Sequence, residues 1–146
     1  MNIEVRPPRS TTTLFLCALL VALVPAMARS HGDVNPQPVD TTGLQPLGEA
    51  WRPSNPYRGN ETAIKIGKSA YNQQCARCHG LEGISGGLAP DLRALEKGDG
   101  GDRDFLPPVR KGVARDGRVM MPKYEGVMSQ EAMWAIRSWL ETLNAD

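Results

Sequence analysis

Cys75, Cys78 and His79 stand together in the stretch CARCHG, residues 75–80. Two thiols three residues apart, followed at once by an imidazole, suit three chemistries: thiol exchange, a metal knuckle, or covalent capture of a porphyrin beside an iron ligand. The rest of the sequence has to choose among them.

A disulfide between neighbours three apart closes a very small loop, and by the chain-entropy argument it stabilises little. A thioredoxin-like pair would follow a strand in a βαβ pattern, and no such pattern precedes Cys75. Zinc needs four ligands. Beyond this motif the chain after residue 28 offers only His31 and carboxylates, with no second Cys or His pair at metal spacing. What remains is the heme attachment signature Cys75-Ala76-Arg77-Cys78-His79. Residues i and i+3 share one face of a helical turn, so both sulfurs can reach the two vinyl groups on one edge of a porphyrin. His79 then falls beneath the iron.

Two helices must position this turn. Upstream, Ala63, Ile66, Gly67, Ala70 and Tyr71 recur at the period of an amphipathic helix, with Asn60 as N-cap and Glu61 placed to meet the dipole. Near the end, Ser129 opens a helix whose Ala132, Met133, Ile136, Trp139, Leu140 and Leu143 form one apolar stripe. Gly67 weakens the first helix by about 1 kcal/mol relative to alanine, so a close crossing is the expected compensation, with Trp139 pressed against it. Pro90, the glycines from 98 to 101 and Pro107-Pro108 break the chain into short helices and loops. The run GDGGDRD, residues 98–104, lacks EF-hand spacing and reads as a flexible acidic turn.

The opening segment reads as an export signal. Arg6 and Arg9 precede eleven apolar residues, Leu14 to Val24, and then the small-x-small sequence Ala26-Met27-Ala28. Eleven residues at about 1.5 Å each do not cross a hydrocarbon core of about 30 Å. Residues 1–28 are therefore expected to be cleaved, Cys17 with them, cleavage after Ser30 being the alternative. The remaining 118 residues make one domain carrying 15 basic and 15 acidic residues. That balance argues against nucleic acid as a partner. Locally, Arg103, Arg110, Lys111, Arg115, Arg118 and Lys123 are interleaved with only Asp102, Asp104 and Asp116. Residues 29–60, with Pro36, Pro38, Pro46, Pro53 and Pro56, read as an extended leader that Trp51 and Tyr57 could pin to the domain.

The order of landmarks is informative: a helix with Gly67 and Tyr71, then CARCHG, LAPDL, MMPKY and SQEAMWAIRSWLETL. Residues 61–146 resemble a class I cytochrome c domain. The resemblance implies an all-α fold, its first and last helices crossing and one covalent heme c in a cleft walled by loops. It also bears on the sixth iron ligand. Met128 and Met133 suit the approach to the last helix and its stripe, which leaves Met120 and Met121. In the resembled family the ligand precedes a proline shortly before the last helix, which selects Met121, followed by Pro122. The resemblance also implies that the second imidazole N–H donates to the carbonyl of Pro90.

An iron with both axial positions filled exchanges single electrons and has no vacant site for substrate, so an electron-transfer protein is expected rather than an enzyme. A heme enzyme with a displaceable ligand is the alternative, without paired carboxylates or a Ser/His arrangement to support it. The leader HGDVNPQPVDTTGLQPLGEAW, followed by NPYRGN, resembles that of small periplasmic cytochromes serving quinoprotein alcohol dehydrogenases. It implies a monomer in the periplasm that takes electrons from a PQQ-dependent alcohol dehydrogenase and passes them toward a terminal oxidase. A general periplasmic donor to oxidases or reductases is the alternative.

Overall fold

Asn60 opens the first helix by accepting the Ala63 N–H at 3.0 Å, which satisfies one of the donors a helix start leaves bare. This computed structural model describes residues 35–143, which lie in a compact unit spanning Asp33–Asp146. The expected export segment 1–28, Cys17 and His31 lie outside the described residues.

Helix α1 spans Glu61–Gln74, α2 is the single turn Ala76–His79, and two 3-10 turns follow at Leu81–Gly83 and Leu92–Ala94. Helix α3 spans Asp99–Lys111, the strands β1 and β2 span Val113–Arg115 and Arg118–Met121, and α4 spans Gln130–Leu140. Ser129 caps α4 by accepting the Ala132 N–H at 3.2 Å. The apolar faces of α1 and α4 meet in the centre of the core, with Ala63, Ala70, Tyr71, Ala132, Met133, Ile136 and Leu140 buried.

The two helices touch backbone to backbone. A Cβ on Gly67 would sit 1.9 Å from the carbonyl oxygen of Ala135. The neighbour is therefore Ala135, and Trp139 lies one turn further on, its ring 4.5 Å from that of Tyr71 at an interplanar angle of 46°. A small residue has to occupy the point of closest approach, and the indole packs beside it.

Two expectations, the flexible acidic turn and the break at Pro107-Pro108, need correction. The acidic run after Gly98 is the start of α3: Asp99 and Asp102 stand in its first turn, where they meet the positive end of the helix dipole. Pro107 and Pro108 lie inside that helix. They remove the N–H groups that would bind the carbonyls of Arg103 and Asp104, both exposed residues whose carbonyls water can serve. Asp102 is buried against Arg137 at 2.8 Å. Finally, the fold is helical apart from one antiparallel hairpin among the described residues, β1 on β2. Its turn, Asp116-Gly117, has positive φ at both residues, 51° and 73°. That is the type I′ geometry Asp-Gly favours between strands.

Helix α4 is buried on nearly all sides, Glu131 alone of its residues escaping full burial. Residues 35–60 cover its polar face. They run without a helix, and their backbone supplies the partners that the face needs. Gln130 donates to the carbonyls of Gly48 and Ala50 at 2.7 and 3.1 Å, and the Leu47 N–H donates to Glu131 at 2.8 Å. Ser138 donates to the Tyr57 carbonyl at 3.0 Å, while the Asn55 N–H donates to Asp102 at 2.7 Å. Tyr57 is buried with its hydroxyl on the Gln45 carbonyl, and Trp51 lies 3.8 Å beneath the Arg110 guanidinium.

Candidate functional site

Helix α1 delivers Cys75 directly. Its last N–H bond runs from Cys75 to the Tyr71 carbonyl at 2.8 Å, and α2 then restarts, with Cys78 and His79 both donating to the Cys75 carbonyl at 3.1 and 3.0 Å. Cys75 and Cys78 are thus one helical turn apart, with His79 on the next step. Gly80 closes the turn at φ 79°, and a Cβ there would lie 1.8 Å from the Ile84 carbonyl oxygen. The two cysteines are not joined to each other. Burial, and then the neighbouring Cys78, push the Cys75 thiol up to about 12. A thiol exchanger needs its cysteine held as thiolate, so this environment is wrong for that chemistry. Among the described residues no three His, Cys, Asp or Glu side chains converge as a metal cage, which is what a zinc knuckle would require.

His79 places Nδ1 2.9 Å from the carbonyl oxygen of Pro90. A carbonyl can only accept, so Nδ1 carries the proton and Nε2 keeps its lone pair for a metal. The Pro90 carbonyl sits in a braced loop. Ser85 donates through its hydroxyl to Ala89 and through its N–H to Asp91 at 3.3 Å, and Arg93 grips Asp91 at 2.8 Å. The Arg93 hydrogen bond holds the Asp91 carboxyl at about 2, well below the ordinary carboxylate range.

Two tyrosines tie the turn to the rest of the molecule, a role absent from the reading of the sequence. Tyr71 donates to the Gly80 carbonyl at 2.7 Å, just past His79. Tyr124 donates to the Gln74 carbonyl at 2.9 Å, just before Cys75. Burial raises both phenols above their usual range, Tyr71 to about 12. Tyr124 follows Met121 by three residues, so one hydrogen bond links the methionine segment to the cysteine turn. The available signal was the Tyr in MMPKY itself, an aromatic with a polar tip beside the methionine pair.

Met120 and Met121 differ sharply. Val113 pairs with Met121 and Ala114 with Val119, so Met120 is the extra residue of a β-bulge. Its side chain is 57% exposed, whereas Met121 is half-buried and packs against the core. The two thioethers are therefore sorted by the strand: one faces solvent and one is turned inward.

This donor set fits a heme held through Cys75 and Cys78. The sulfurs are one turn apart, an imidazole nitrogen is free, and a thioether comes from a separate segment. Leu81, Ile84 and Leu88, between the turn and Pro90, carry exposed apolar side chains suited to a porphyrin face. When bound, such a heme supplies an iron that gains and loses one electron.

Comparison with known proteins identifies the family. Residues 62–140 match the family model described as cytochrome C oxidase, cbb3-type, subunit III. The chain is 57% identical over 125 residues to cytochrome c550 of Pseudomonas aeruginosa, covering 83% of this chain and 86% of that protein. It is 35% identical over 91 residues to the quinohemoprotein alcohol dehydrogenase ADH-IIG of Pseudomonas putida, and 32% identical over 77 residues to ADH IIB of the same organism. Those stretches cover 60% and 53% of this chain but only 12% and 11% of the two larger proteins. No solved structure gives a significant match. The matched family domain and the extended identity to a cytochrome establish that this chain belongs to the class I c-type cytochromes and carries a covalently bound heme c.

Proposed function

We propose that this chain is a periplasmic single-electron carrier that accepts electrons from a PQQ-dependent alcohol dehydrogenase and passes them toward a terminal oxidase, working as a monomer. Cys75 and Cys78 hold the heme by thioether bonds, and His79 and Met121 are the axial ligands. Pro90 fixes the His79 ring through its carbonyl. Domain assignment follows the same reading: a signal over residues 1–28, a leader over 29–60 and the cytochrome domain over 61–146.

One observation carries the donor assignment. A stretch similar to this chain is built into a protein named as a quinohemoprotein alcohol dehydrogenase. A reduced quinone cofactor holds two electrons and has to discharge them singly. A one-electron acceptor of higher potential serves that step whether it is fused to the dehydrogenase or diffuses to it. The thioether ligand supports the direction of flow, because His/Met ligation raises the potential of a heme. The export signal read from residues 1–28 supports the compartment.

A second reading draws on the family model, whose description names an oxidase subunit: a general donor to oxidases or reductases. Stopped-flow mixing of the oxidised cytochrome with ethanol-reduced quinoprotein dehydrogenase separates the two. Reduction within the turnover time of the dehydrogenase is expected. No reduction by the dehydrogenase, with normal reduction by a small-molecule donor, leaves only the general carrier.

A further inference from the structure

All eight residues from Val113 to Met120 are exposed, so the β1–β2 hairpin buries no face of its own. It is nonetheless held firmly at the base, where the N–H groups of Tyr124 and Glu125 donate to the carbonyls of Val109 and Arg110 at 3.1 and 3.2 Å. Val119 and Val113 are 74% and 41% exposed, on the same hairpin as the outward-facing Met120. An element that is rigid, apolar at its surface and useless to the core is suited to contact something else.

Charge sets the hairpin and the segments flanking it apart from the rest of the described residues. Residues 110–125 hold five basic and two acidic residues, a net of +3, while the other described residues hold nine basic and eleven acidic, a net of −2. Arg115 and Arg118 enter no ion pair among the described residues. Of the two acids, Glu125 is engaged by Arg110 at 2.8 Å, with Lys111 and Lys123 adding to the positive field around it. Asp116 occupies the turn. The two arginines thus flank Asp116-Gly117, and Val119 and Met120 lie between them and Met121.

We infer that this hairpin is the docking face for the electron donor, and that the donor presents an acidic surface around an apolar centre. The inference rests on the carrier reading above and deepens it. Arg115 and Arg118 steer the encounter, a rate effect that salt screens. Val119, 74% exposed and paired with Ala114, then makes the close, dry contact, small enough to release after each electron. The same strand ends at Met121, so the docking face and the site share one short piece of backbone.

The test uses the heme-loaded mature protein and an ethanol-reduced PQQ alcohol dehydrogenase. In the variant R115E/R118E the second-order rate of reduction should fall about tenfold at low ionic strength, and the deficit should shrink to within about twofold at high salt. The control variant K65E/K68E reverses two exposed charges on α1 and should stay within about twofold of the unaltered protein. Val119→Ser should slow reduction several-fold at both salt concentrations. Reduction by an uncharged hydroquinone and the midpoint potential should be unchanged throughout. Equal effects of the two charge-reversal pairs would overturn the docking face while leaving the donor intact. Failure of the dehydrogenase to reduce even the unaltered protein would remove the donor, and this inference with it.

Discussion

Gly67 and Ala135 meet where α1 crosses α4, and the carbonyl oxygen of Ala135 lies 1.9 Å from the position a side-chain carbon on residue 67 would take. Backbone stands there, so no rotamer change can make room. Gly67→Ala should therefore force the helices apart and destabilise the heme-loaded protein by about 3 kcal/mol, the upper part of the range for overpacking. Lys65→Ala, exposed on the same helix, should stay within about 0.5 kcal/mol. Urea unfolding followed by the heme absorption band measures both, and near-equal midpoints would contradict so close a crossing.

Arg137 and Asp102 form a fully buried ion pair at 2.8 Å, with Arg58 also on Asp102 at 2.7 Å. Removing one partner of such a pair strands the other charge. Arg137→Met should destabilise the protein by about 3 kcal/mol, at the low end of the usual cost because Arg58 and the Asn55 N–H remain on the carboxylate. The double variant R137M/D102L should lose less than the single one, since no bare charge is left behind. Calorimetry on the unaltered protein and the two variants distinguishes the cases: a double variant worse than Arg137→Met would show that the pair matters for shape rather than for charge.

Local chemistry was readable from the residues, and long-range chemistry was not. CARCHG is legible because covalent attachment demands its spacing, and Asn60, Ser129 and Gly67 announce caps and a crossing by residue type alone. Gln130, Arg137 and Ser138 lie outside the apolar stripe of the last helix, and nothing local marks them as buried. Their partners among Gly48, Ala50, Asn55, Tyr57 and Asp102 are 35 to 83 residues away, beyond any local pattern. Helix α3 was hidden by glycines and prolines that normally break helices; its acidic first turn and the buried bond from Asp102 to Arg137 outweigh them. The hairpin lacks the apolar alternation that marks a strand, because both its faces are wet. Only Asp116-Gly117 signalled it.

Asp91 gives a pH test close to the loop that presents the Pro90 carbonyl. The Arg93 side-chain hydrogen bond, followed by the N–H groups of Arg93 and Ser85, lowers the carboxyl from 3.8 to about 2. A lowered value in the folded state means that the bracing is fully present above pH 3.8 and is lost as pH falls toward about 2. Carboxyl NMR titration should find the Asp91 midpoint near the bottom of that window. In Arg93→Ala it should move back up toward the ordinary carboxylate value. A midpoint unaffected by that change would show that Arg93 does not brace the loop.

Met120 and Met121 are adjacent, yet the bulge in β2 separates their fates. Met120 is the residue without a cross-strand partner, and its thioether points to solvent. Met121 pairs with Val113, packs inward, and is tied to the cysteine turn through Tyr124 and the Gln74 carbonyl at 2.9 Å. On the proposed ligation, Met121→Ala should abolish the near-infrared iron–sulfur band and lower the reduction potential, since a thioether ligand raises it. Met120→Ala should leave both nearly intact. Deleting Met120 outright probes the bulge itself: the remaining methionine keeps its place opposite Val113, now in regular register, so the band should persist. Loss of the band in Met120→Ala alone would move the ligand by one position. Loss in neither single variant would place the sixth ligand outside this hairpin.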